Sequence, residues 1–273
     1  MDIYFSIIMC CYNSQDNIIE TLNSIKSQTY KKWELIIVND GSNDKTENIV
    51  KEYINLNKKL NISYFYQHNH GLATSRNNAI NKTNFDWIAI IDHDDIWIEN
   101  KLEIQAKEIK HNLDKKLFFS DFWILNNKDK VSRFYIFSKK DFFNPCNLDL
   151  HKHKAYLNLV IFGCFIASST VIFDKNVIKK VGYFNSEYQF VTDYIFYIEV
   201  AKEYDIHCTN LILSYWRKHA SQASNKMSNI YYIEMFKLFN KVIFFEKIKI
   251  NIKLKVLKKY FKLIISFLYR NIN

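Results

Sequence analysis

Residues 33–46 read Trp-Glu-Leu-Ile-Ile-Val-Asn-Asp-Gly-Ser-Asn-Asp-Lys-Thr and contain the pattern that decides the fold. The apolar run at 35–38 shows no polar alternation, which indicates a strand buried on both faces, as in a parallel sheet covered by helices. The polar residues after it, with a glycine among them, are typical of a tight turn that opens a helix. This segment therefore predicts a strand, a turn and a helix.

The same unit recurs through the first part of the chain. Helical patterns begin near residues 17, 45 and 72. They separate four strand-like runs: 5–10, 33–39, 62–67 and 87–91. Strands that alternate with helices predict an α/β fold of the Rossmann-like kind, with a mostly parallel sheet flanked by helices. Ligands of such sheets bind beyond the carboxyl ends of the strands, so the residues directly after each run are the candidates for function.

The size of the chain and its cysteines limit the alternatives. With 273 residues, it is long enough for one large α/β domain with a C-terminal extension and too short for two ordinary catalytic domains. Its five cysteines follow no repeated spacing, so we expect neither a disulfide framework nor a zinc site, and a reducing compartment. The N-terminus leads directly into the first strand, so we expect no signal peptide and an active site on the cytoplasmic side.

Two segments in the second half have no motif of their own. Residues 155–173 carry no charge, but polar residues interrupt the run and its end is β-branched, so we interpret it as buried core ending in a strand rather than a membrane span. Residues 126–154 are polar, aromatic and poorly periodic, and we expect a loop-rich insertion there. Because loops and irregular segments shape a binding pocket, we expect the segment 126–190 to set most of the specificity.

Three carboxylates follow the run at 87–91 directly, in Asp92-His93-Asp94-Asp95. Like charges this close repel unless a cation lies between them, which points to a divalent ion with water and phosphate oxygens as its other ligands. The alternative is structural, because aspartate is favoured at helix N-termini and could cap a helix over 96–109. Spacing alone leaves both interpretations open.

Two other positions at strand ends could bind a ligand. Asp40 lies where it could accept hydrogen bonds from a base, and Arg76, one turn into a helix, would suit a ribose or a diphosphate. Taken singly, each residue also has a structural explanation: Asp40 could belong to an ordinary turn, and Arg76 could be a solvated residue on a helix surface. The four glycines form no dinucleotide-binding fingerprint and no P-loop, and no G-x-S-x-G motif indicates a serine hydrolase.

In order and spacing, five strings of the chain resemble family 2 inverting glycosyltransferases with the A-type fold. The strings are SIIMCCYN at 6–13, SQTY at 27–30, WELIIVNDGS at 33–42, NHGLATSRN at 69–77 and IDHDD at 91–95. The resemblance extends over at least residues 5–224. It departs at Cys10 and Cys11, where the family often has proline before the tyrosine.

The resemblance implies a binding site for a nucleotide-diphosphate sugar with uridine as its nucleoside. Asp40 would contact the uracil, Arg76 would lie near the ribose and phosphates, and the D-x-D motif formed by Asp92 and Asp94 would hold the sugar nucleotide with its Mn²⁺ or Mg²⁺. Asp94 is the expected direct metal ligand. Two residues would line the nucleotide pocket: Tyr12 and Asn13.

The resemblance also implies residues on the acceptor side. Asp193 matches the family's catalytic base, although Thr192 precedes it where glutamate is usual, which puts the acceptor geometry in doubt. His219 matches a histidine that can approach the metal or the diphosphate, and Arg217 lies in the same string. Judged without the resemblance, Asp193 would cap a helix running to residue 203 and His219 would be a structural residue.

The C-terminal segment is strongly basic. Residues 227–273 contain ten Lys or Arg and two Glu, so a net charge of +8 out of +10 lies here. Apolar and basic residues fall on different helical faces over 230–270, a pattern typical of a helix at an anionic membrane surface, and no apolar run is long enough to span a bilayer. Packing on the core or on a partner protein is the alternative. No nucleic-acid module accompanies the charge, so we expect no nucleic-acid partner.

These observations predict a catalytic domain over 1–225, with a nucleotide-sugar half at 1–110 and an acceptor half at 111–225, and a basic amphipathic helical tail over 226–273. We expect a metal-dependent, inverting enzyme that moves a hexose or N-acetylhexosamine from a UDP-sugar to a hydroxyl of a glycan. A lipid-linked acceptor, at the inner face of the plasma membrane, fits bacterial surface polysaccharide or lipooligosaccharide synthesis. The alternative is a catalytically idle subunit that binds sugar nucleotide or scaffolds a glycan-assembly complex.

Overall fold

A computed structural model describes residues 2–126, 129–140, 143–219, 222 and 229–272. In this part of the chain, nine strands form one sheet, with α-helices packed on both faces. The strands are β1 (Phe5–Cys11), β2 (Trp33–Asp40), β3 (Ile62–Gln67), β4 (Trp87–Ile90), β5 (Ile96–Trp97), β6 (Leu117–Asn126), β7 (Asp129–Ser132), β8 (Ile172–Asp174) and β9 (Ile206–Arg217). The helices are α1 (Ile18–Lys26), α2 (Thr46–Leu56), α3 (Leu72–Asn81), α4 (Lys101–His111), α5 (Arg133–Lys140), α6 (Lys154–Phe162), α7 (Ile178–Val181), α8 (Thr192–Glu203), α9 (Asn229–Asn240) and α10 (Ile250–Ile272).

The sheet is parallel in its first half and mixed in its second. Its strand order is β3-β2-β1-β4-β8-β6-β9-β5, with β7 paired to the outer part of β6. The neighbours β3, β2, β1 and β4 are all parallel, whereas β8 is antiparallel to both β4 and β6. The predicted α/β fold with helices on both sides of the sheet is confirmed. The carboxyl ends of β1, β2 and β4 therefore meet at one edge.

Alternate residues of the central strands enter two separate cores, which explains their uninterrupted apolar runs. On one face, Ile8 and Ile36 pack with α3, α6 and α8. On the other, Ile7 and Leu35 pack with α1, α2 and α4. Few polar residues lie inside such a strand, and those that do are paired with each other, as Ser6 and Glu34 are. The other polar residues concentrate at the strand ends.

The second half is more ordered than the sequence suggests. The expected loop-rich insertion contains strand β7, paired with β6, and helix α5, so that expectation is wrong in part. Its pattern is weak because both elements are short. The uncharged run at 155–173 forms α6, a 3-10 turn and β8, as the buried-core interpretation predicted. Among the helices within the described residues, none is long and apolar enough to cross a membrane.

Cys146 and Cys208 form a disulfide, with their Cα atoms 5.0 Å apart. The expectation of no disulfide is therefore wrong. The two cysteines are separated by 62 positions, and they meet because the 3-10 turn at Pro145–Asn147 packs against β9. Such a long-range pairing leaves no spacing pattern in a sequence.

The C-terminal helices pack with one face on the core formed by the preceding elements. Met235 of α9 and Val256 of α10 lie within the core that also includes α6 and α8. At 100° per residue, a row of apolar side chains falls on the side of α10 opposite Val256. These side chains are exposed: Leu254, Phe261, Ile265 and Leu268. The helix thus has one apolar face against the protein and a second one facing outwards.

Candidate active site

Arg76 lies at the centre of the candidate site. It is 1% exposed on the inner side of α3, and its guanidinium pairs with two carboxylates, Asp92 at 2.8 Å and Asp193. The ring of Phe184 lies 5.5 Å from the guanidinium carbon. A buried cation is costly unless it is paired, so this arginine holds two carboxylates together. The interpretation of Arg76 as a solvated surface residue is wrong.

Asp193 lies in the first turn of α8, where the helix dipole favours a negative charge. One carboxylate oxygen pairs with Arg76, and the other accepts a hydrogen bond of 2.6 Å from the Ser168 hydroxyl. The N-cap position belongs to Val191, so Asp193 does not cap the helix. Its side chain remains 24% exposed and lines a cavity, so a second molecule can reach it.

The departure at Thr192 leaves these contacts intact. Thr192 is buried, and its hydroxyl donates a hydrogen bond of 3.3 Å to the carbonyl of Asn185. Asp193 keeps its own contacts with Arg76 and Ser168. The residue that precedes the aspartate is therefore part of the local packing.

The cluster at residues 92–95 does not cap a helix. Residues 96 and 97 form β5, and α4 begins only at Lys101, so the predicted helix over 96–109 starts five residues later than expected. Trp97 causes this, because its buried indole donates a hydrogen bond of 2.7 Å to the Ser169 carbonyl and keeps the chain extended beside β9. The carboxylates at 92–95 are therefore available for other contacts.

The three carboxylates have three different partners. Asp92 pairs with Arg76, Asp94 lies 2.9 Å from the Nε2 atom of His219, and Asp95 accepts a hydrogen bond of 2.5 Å from Ser169. Burial, and then the charges of Asp94 and Asp92, raise the pKa of Asp95 well above its usual range. Asp95 is thus a structural carboxyl, and the other two carboxylates are those that face the site.

Asp94 and His219 together form a candidate metal position. Their side chains are 15% and 23% exposed, so neither is sealed off from a ligand. No group of three His, Cys, Asp or Glu side chains within the described residues could hold an ion alone. A divalent ion with one carboxylate, one imidazole and otherwise phosphate oxygens and water fits this donor set, because Mg²⁺ and Mn²⁺ commonly share their sites with substrate phosphates.

Arg217 braces this position from behind. Its guanidinium contacts the Asp94 carbonyl and the Glu20 carboxylate of α1, and it donates a hydrogen bond of 3.2 Å to the carbonyl of Asn17, directly before α1. Its backbone N–H also lies 3.4 Å from Asp95. These contacts fix the 92–95 turn against α1, so Arg217 positions the site.

Asp40 orders the loop between β3 and α3. Its buried carboxylate accepts hydrogen bonds from the Gln67 side chain at 2.7 Å and from the backbone N–H groups of His70 and Gly71, each at 2.9 Å. These three donors fix the entrance to α3, the helix that carries Arg76. Contact between Asp40 and a base stays a prediction.

The turns after β1 and β2 are tied together. The backbone N–H of Asn13 donates a hydrogen bond to the Ser42 hydroxyl, and the Asn13 side-chain oxygen accepts one from the N–H of Asn43, each at 3.0 Å. Asn13 has a positive φ of 50°, which asparagine tolerates better than most residues. Tyr12 is 46% exposed beside this junction, so its ring is available to a ligand.

Gly41 allows a close approach between two of these turns. Its φ is +75°, and a Cβ atom there would lie 2.7 Å from the backbone nitrogen of Asn69. We expect Gly41→Ala to lower the free energy of unfolding by about 2–4 kcal/mol, since it combines a strained φ with a backbone clash. Gly182→Ala is the control, because Gly182 has a φ of +81° with nothing within 4 Å of the added atom. If urea unfolding gave the same loss of stability for Gly41→Ala and Gly182→Ala, the close approach to Asn69 would not contribute to the effect.

The 3-10 turn at Ser168–Thr170 contacts Asp92, Asp95 and Asp193, a role that was not predicted from the sequence. Ser168 binds Asp193, while the Ser169 hydroxyl binds Asp95 and accepts a hydrogen bond of 3.0 Å from the backbone N–H of Asp92. The only indication of this role in the sequence is that three hydroxyl residues stand side by side in a run without charged residues. Their role becomes visible only when β8 is placed beside β4.

Lys101 supports this turn from the protein interior. Its ammonium is fully buried, donates a hydrogen bond of 3.2 Å to the Thr170 carbonyl, contacts Gln105 and lies over the Trp97 ring. Burial lowers the pKa of Lys101 to about 7, with the charge of Glu108 opposing the shift. Lys101 therefore binds a proton less readily in the folded protein than in the unfolded chain.

This difference predicts how stability varies with pH. Between pH 7 and about 10.5, unfolding takes up a proton at Lys101, so the free energy of unfolding should rise with pH by up to about 1.4 kcal/mol per unit. Lys101→Met should remove this slope, whereas Lys107→Met, at an exposed position of the same helix, should keep it. Urea unfolding at pH 7.5 and 9.5 measures the slopes, and identical values for wild type and Lys101→Met would contradict the assignment.

Comparison with known proteins connects this geometry to one family. The family model described as Glycosyl transferase family 2 matches residues 6–162. Two Escherichia coli relatives are named UDP-Glc:alpha-D-GlcNAc-diphosphoundecaprenol beta-1,3-glucosyltransferase. WfaP is 32% identical over 82% of this chain and 82% of its own length, and WfgD is 29% identical over 84% of each. A Rickettsia conorii glycosyltransferase, RC0461, is 31% identical over 82% of this chain, but the match spans 35% of that longer protein.

Solved structures agree on the fold. Staphylococcus aureus TarS 1-349 in complex with UDP-GlcNAc superposes with a TM-score of 0.72 and 21% identity, covering 97% of this chain and 73% of TarS 1-349. The mannosyltransferase PcManGT from Pyrobaculum calidifontis, in complex with GDP-Man and Mn²⁺, gives a TM-score of 0.67 with 16% identity, covering 96% of this chain and 70% of PcManGT. The sheet and its helices thus have the architecture of these two enzymes.

Proposed function

The chain belongs to glycosyl transferase family 2, and on that premise we propose that it moves a hexose or N-acetylhexosamine from a UDP-sugar to a hydroxyl of a lipid-linked glycan. The observation that carries the proposal is the group formed by Arg76, Asp92 and Asp193 at the carboxyl edge of the sheet. It joins the donor-side carboxylate of Asp92 to the proposed catalytic base, Asp193, through one buried cation. Bacterial surface polysaccharide or lipooligosaccharide synthesis would use such a transfer.

The donor site, in this proposal, lies between the turns after β1, β2 and β4. Tyr12 and Asn13 line the nucleotide pocket, Asp40 contacts or positions the base, and Arg76 and Asp92 lie towards the ribose and phosphates. UDP-GlcNAc in TarS and the UDP-Glc in the names of the two E. coli relatives support a uridine nucleotide as the donor. The contacts that already tie these turns together would keep the pocket preformed.

The reaction would be a single displacement with inversion at the anomeric carbon. Asp193 takes the proton of the acceptor hydroxyl while that oxygen attacks the anomeric carbon, and the bond from the sugar to the diphosphate breaks with its electron pair on the phosphate oxygen. Arg76 keeps the Asp193 carboxylate oriented and contributes positive charge near the leaving group. No covalent intermediate with the protein is required.

Asp94 and His219 are the residues that would hold a divalent ion, either Mn²⁺ or Mg²⁺. When bound, such an ion supplies positive charge to the leaving diphosphate. The Mn²⁺ in the PcManGT complex supports the choice of a divalent metal. Arg217 would keep this pair in place through its contact with the Asp94 backbone.

A lipid-linked acceptor and a peripheral position on the inner face of the plasma membrane complete the proposal. The two E. coli relatives carry diphosphoundecaprenol in their names. In this chain, the exposed apolar row of α10 and the lysines around it suit an anionic bilayer surface. An idle scaffolding subunit is not favoured, because Asp193 keeps its contacts despite Thr192.

The test is a transfer reaction with a soluble acceptor. Wild-type protein is incubated with UDP-glucose or UDP-N-acetylglucosamine, Mn²⁺ and N-acetylglucosamine joined through a diphosphate to a short alkyl chain. We expect UDP release and a β-linked product, since the donor sugar is α-linked and the displacement inverts it. An α-linked product would contradict the mechanism, and no transfer from any UDP-sugar would favour the idle subunit.

A further inference from the structure

A cavity of about 600 Å³ lies beside the candidate catalytic base. Three carboxylates line one part of it, from Asp92, Asp95 and Asp193. The C-terminal helices line another part, where α10 contributes Lys259 and Lys262. The cavity therefore has one region lined by aspartates, which Arg76 and Ser169 hold in place, and another lined by lysines of the C-terminal segment.

We infer that α10 completes the acceptor site and that Lys259 and Lys262 bind the phosphate or diphosphate that joins the acceptor sugar to its lipid. This inference rests on the proposed function, which supplies a lipid-linked acceptor. The two lysines are three positions apart, so they lie on the same side of the helix and can bind one anionic group together.

The charge distribution would orient the acceptor. Its anionic group is attracted to the two lysines, which lie where the C-terminal helices line the cavity. The sugar would then lie between the two regions, with a hydroxyl directed at Asp193. A neutral acceptor would gain no such orientation from the two lysines.

The lysines are held in place by the packing of α10. Val256 is fully buried, and Tyr260 and Leu263 pack against the same core. The ammonium of Lys259 lies against Gly163 at the end of α6, where a Cβ atom built on the glycine would be 3.4 Å from it. A helix that only rested on a membrane would not need this fit to the catalytic domain.

Apolar side chains adjoin the lysines within the cavity. Met235 and Phe239 of α9 and Leu263 of α10 contribute to its wall. Such a surface can bury the first carbons of an alkyl chain at about 0.8 kcal/mol for each methylene group. A ligand that can use both the lysines and the apolar wall has an anionic group and an alkyl chain, as an alkyl phosphate or diphosphate does. Free inorganic diphosphate has the anionic group but no alkyl chain.

Calorimetric titration of octyl diphosphate tests the inference. The protein is first saturated with UDP and Mg²⁺, so that the donor site is occupied. We expect the Lys259→Gln and Lys262→Gln double variant to bind octyl diphosphate about tenfold or more weakly, as for the loss of charged hydrogen bonds. Lys258→Gln is the matched control, since Lys258 is exposed on the same helix and does not line the cavity; its affinity should equal that of wild type.

Inorganic diphosphate serves as the second ligand. It should bind wild type more weakly than octyl diphosphate, and equal affinity would overturn the assignment to a lipid-linked acceptor. Equal binding of octyl diphosphate by wild type and the double variant, or no binding by wild type, would overturn the role of α10. Thermal shifts with UDP-sugars in the same variants report on the proposed function separately, because the donor turns do not include α10.

Discussion

Asp193→Asn should lower the rate of sugar transfer by about 10²–10⁴-fold, the usual contribution of a positioned general base. The variant keeps the size of the side chain and can still accept a hydrogen bond from Ser168. It cannot take a proton from the acceptor hydroxyl. Its affinity for a UDP-sugar should stay close to that of wild type, because the donor turns follow β1, β2 and β4.

Steady-state kinetics with saturating UDP-sugar measure this effect. Asp174→Asn is the control, because Asp174 is also a largely buried, ion-paired aspartate, in contact with Lys116. Asp174 lies away from the site: it pairs with Trp87 at the start of β4, whereas Asp92 follows the other end of that strand. A similar loss of transfer in both variants would point to general destabilisation and would contradict the role of Asp193 as the base.

Arg76→Met should lower the free energy of unfolding by about 3–5 kcal/mol and abolish transfer. Removing one partner of a buried ion pair leaves the other charges without compensation, which explains the size of the first effect. In this variant Asp92 and Asp193 would face each other without a cation between them. Urea unfolding and UDP release measure the two effects.

A double-mutant cycle gives this prediction its control. In the protein that already carries Asp193→Asn, one of the two carboxylates is neutral, so Arg76→Met should cost less than in wild type. Arg76→Lys should keep part of the stability but not the geometry, since a single ammonium cannot reproduce the planar, two-sided contact of a guanidinium. Additive losses in the cycle would show that Arg76 and Asp193 are not coupled.

The first half of the fold could be predicted from the sequence because its strands are buried on both faces. Runs such as Leu35–Val38 contain no polar residue, and the polar residues Asn39 and Asp40 after this run form the carboxyl end of its strand. The carboxyl edge of a parallel sheet then places Asp40 and Asp92 at one site without further information. Asp193 needed the family resemblance, because its own sequence context is that of an ordinary helix start.

The second half depends on contacts that no local pattern encodes. Ser168 and Ser169 support the aspartates only because β8 inserts antiparallel beside β4. The start of α4 is delayed by the buried indole of Trp97, which a helical periodicity cannot show. The cysteine pair and the place of α10 in the cavity wall are likewise long-range features. In the second half, the residues that support the site lie on short strands and turns, which are too short to show a periodic pattern in the sequence.

The central claim is that the carboxyl edge of the sheet binds a UDP-sugar together with a divalent ion. A thermal-shift screen of UDP-, GDP- and TDP-linked sugars, with and without Mn²⁺, tests it on wild type and on Asp94→Ala. A ligand that binds only the folded protein at about one hundred times its Kd stabilises it by about 2.7 kcal/mol, which gives a measurable rise in melting temperature. We predict a rise with a UDP-sugar that requires Mn²⁺ and is lost in Asp94→Ala. No rise with any UDP-sugar, or the same rise in the variant, would contradict the claim.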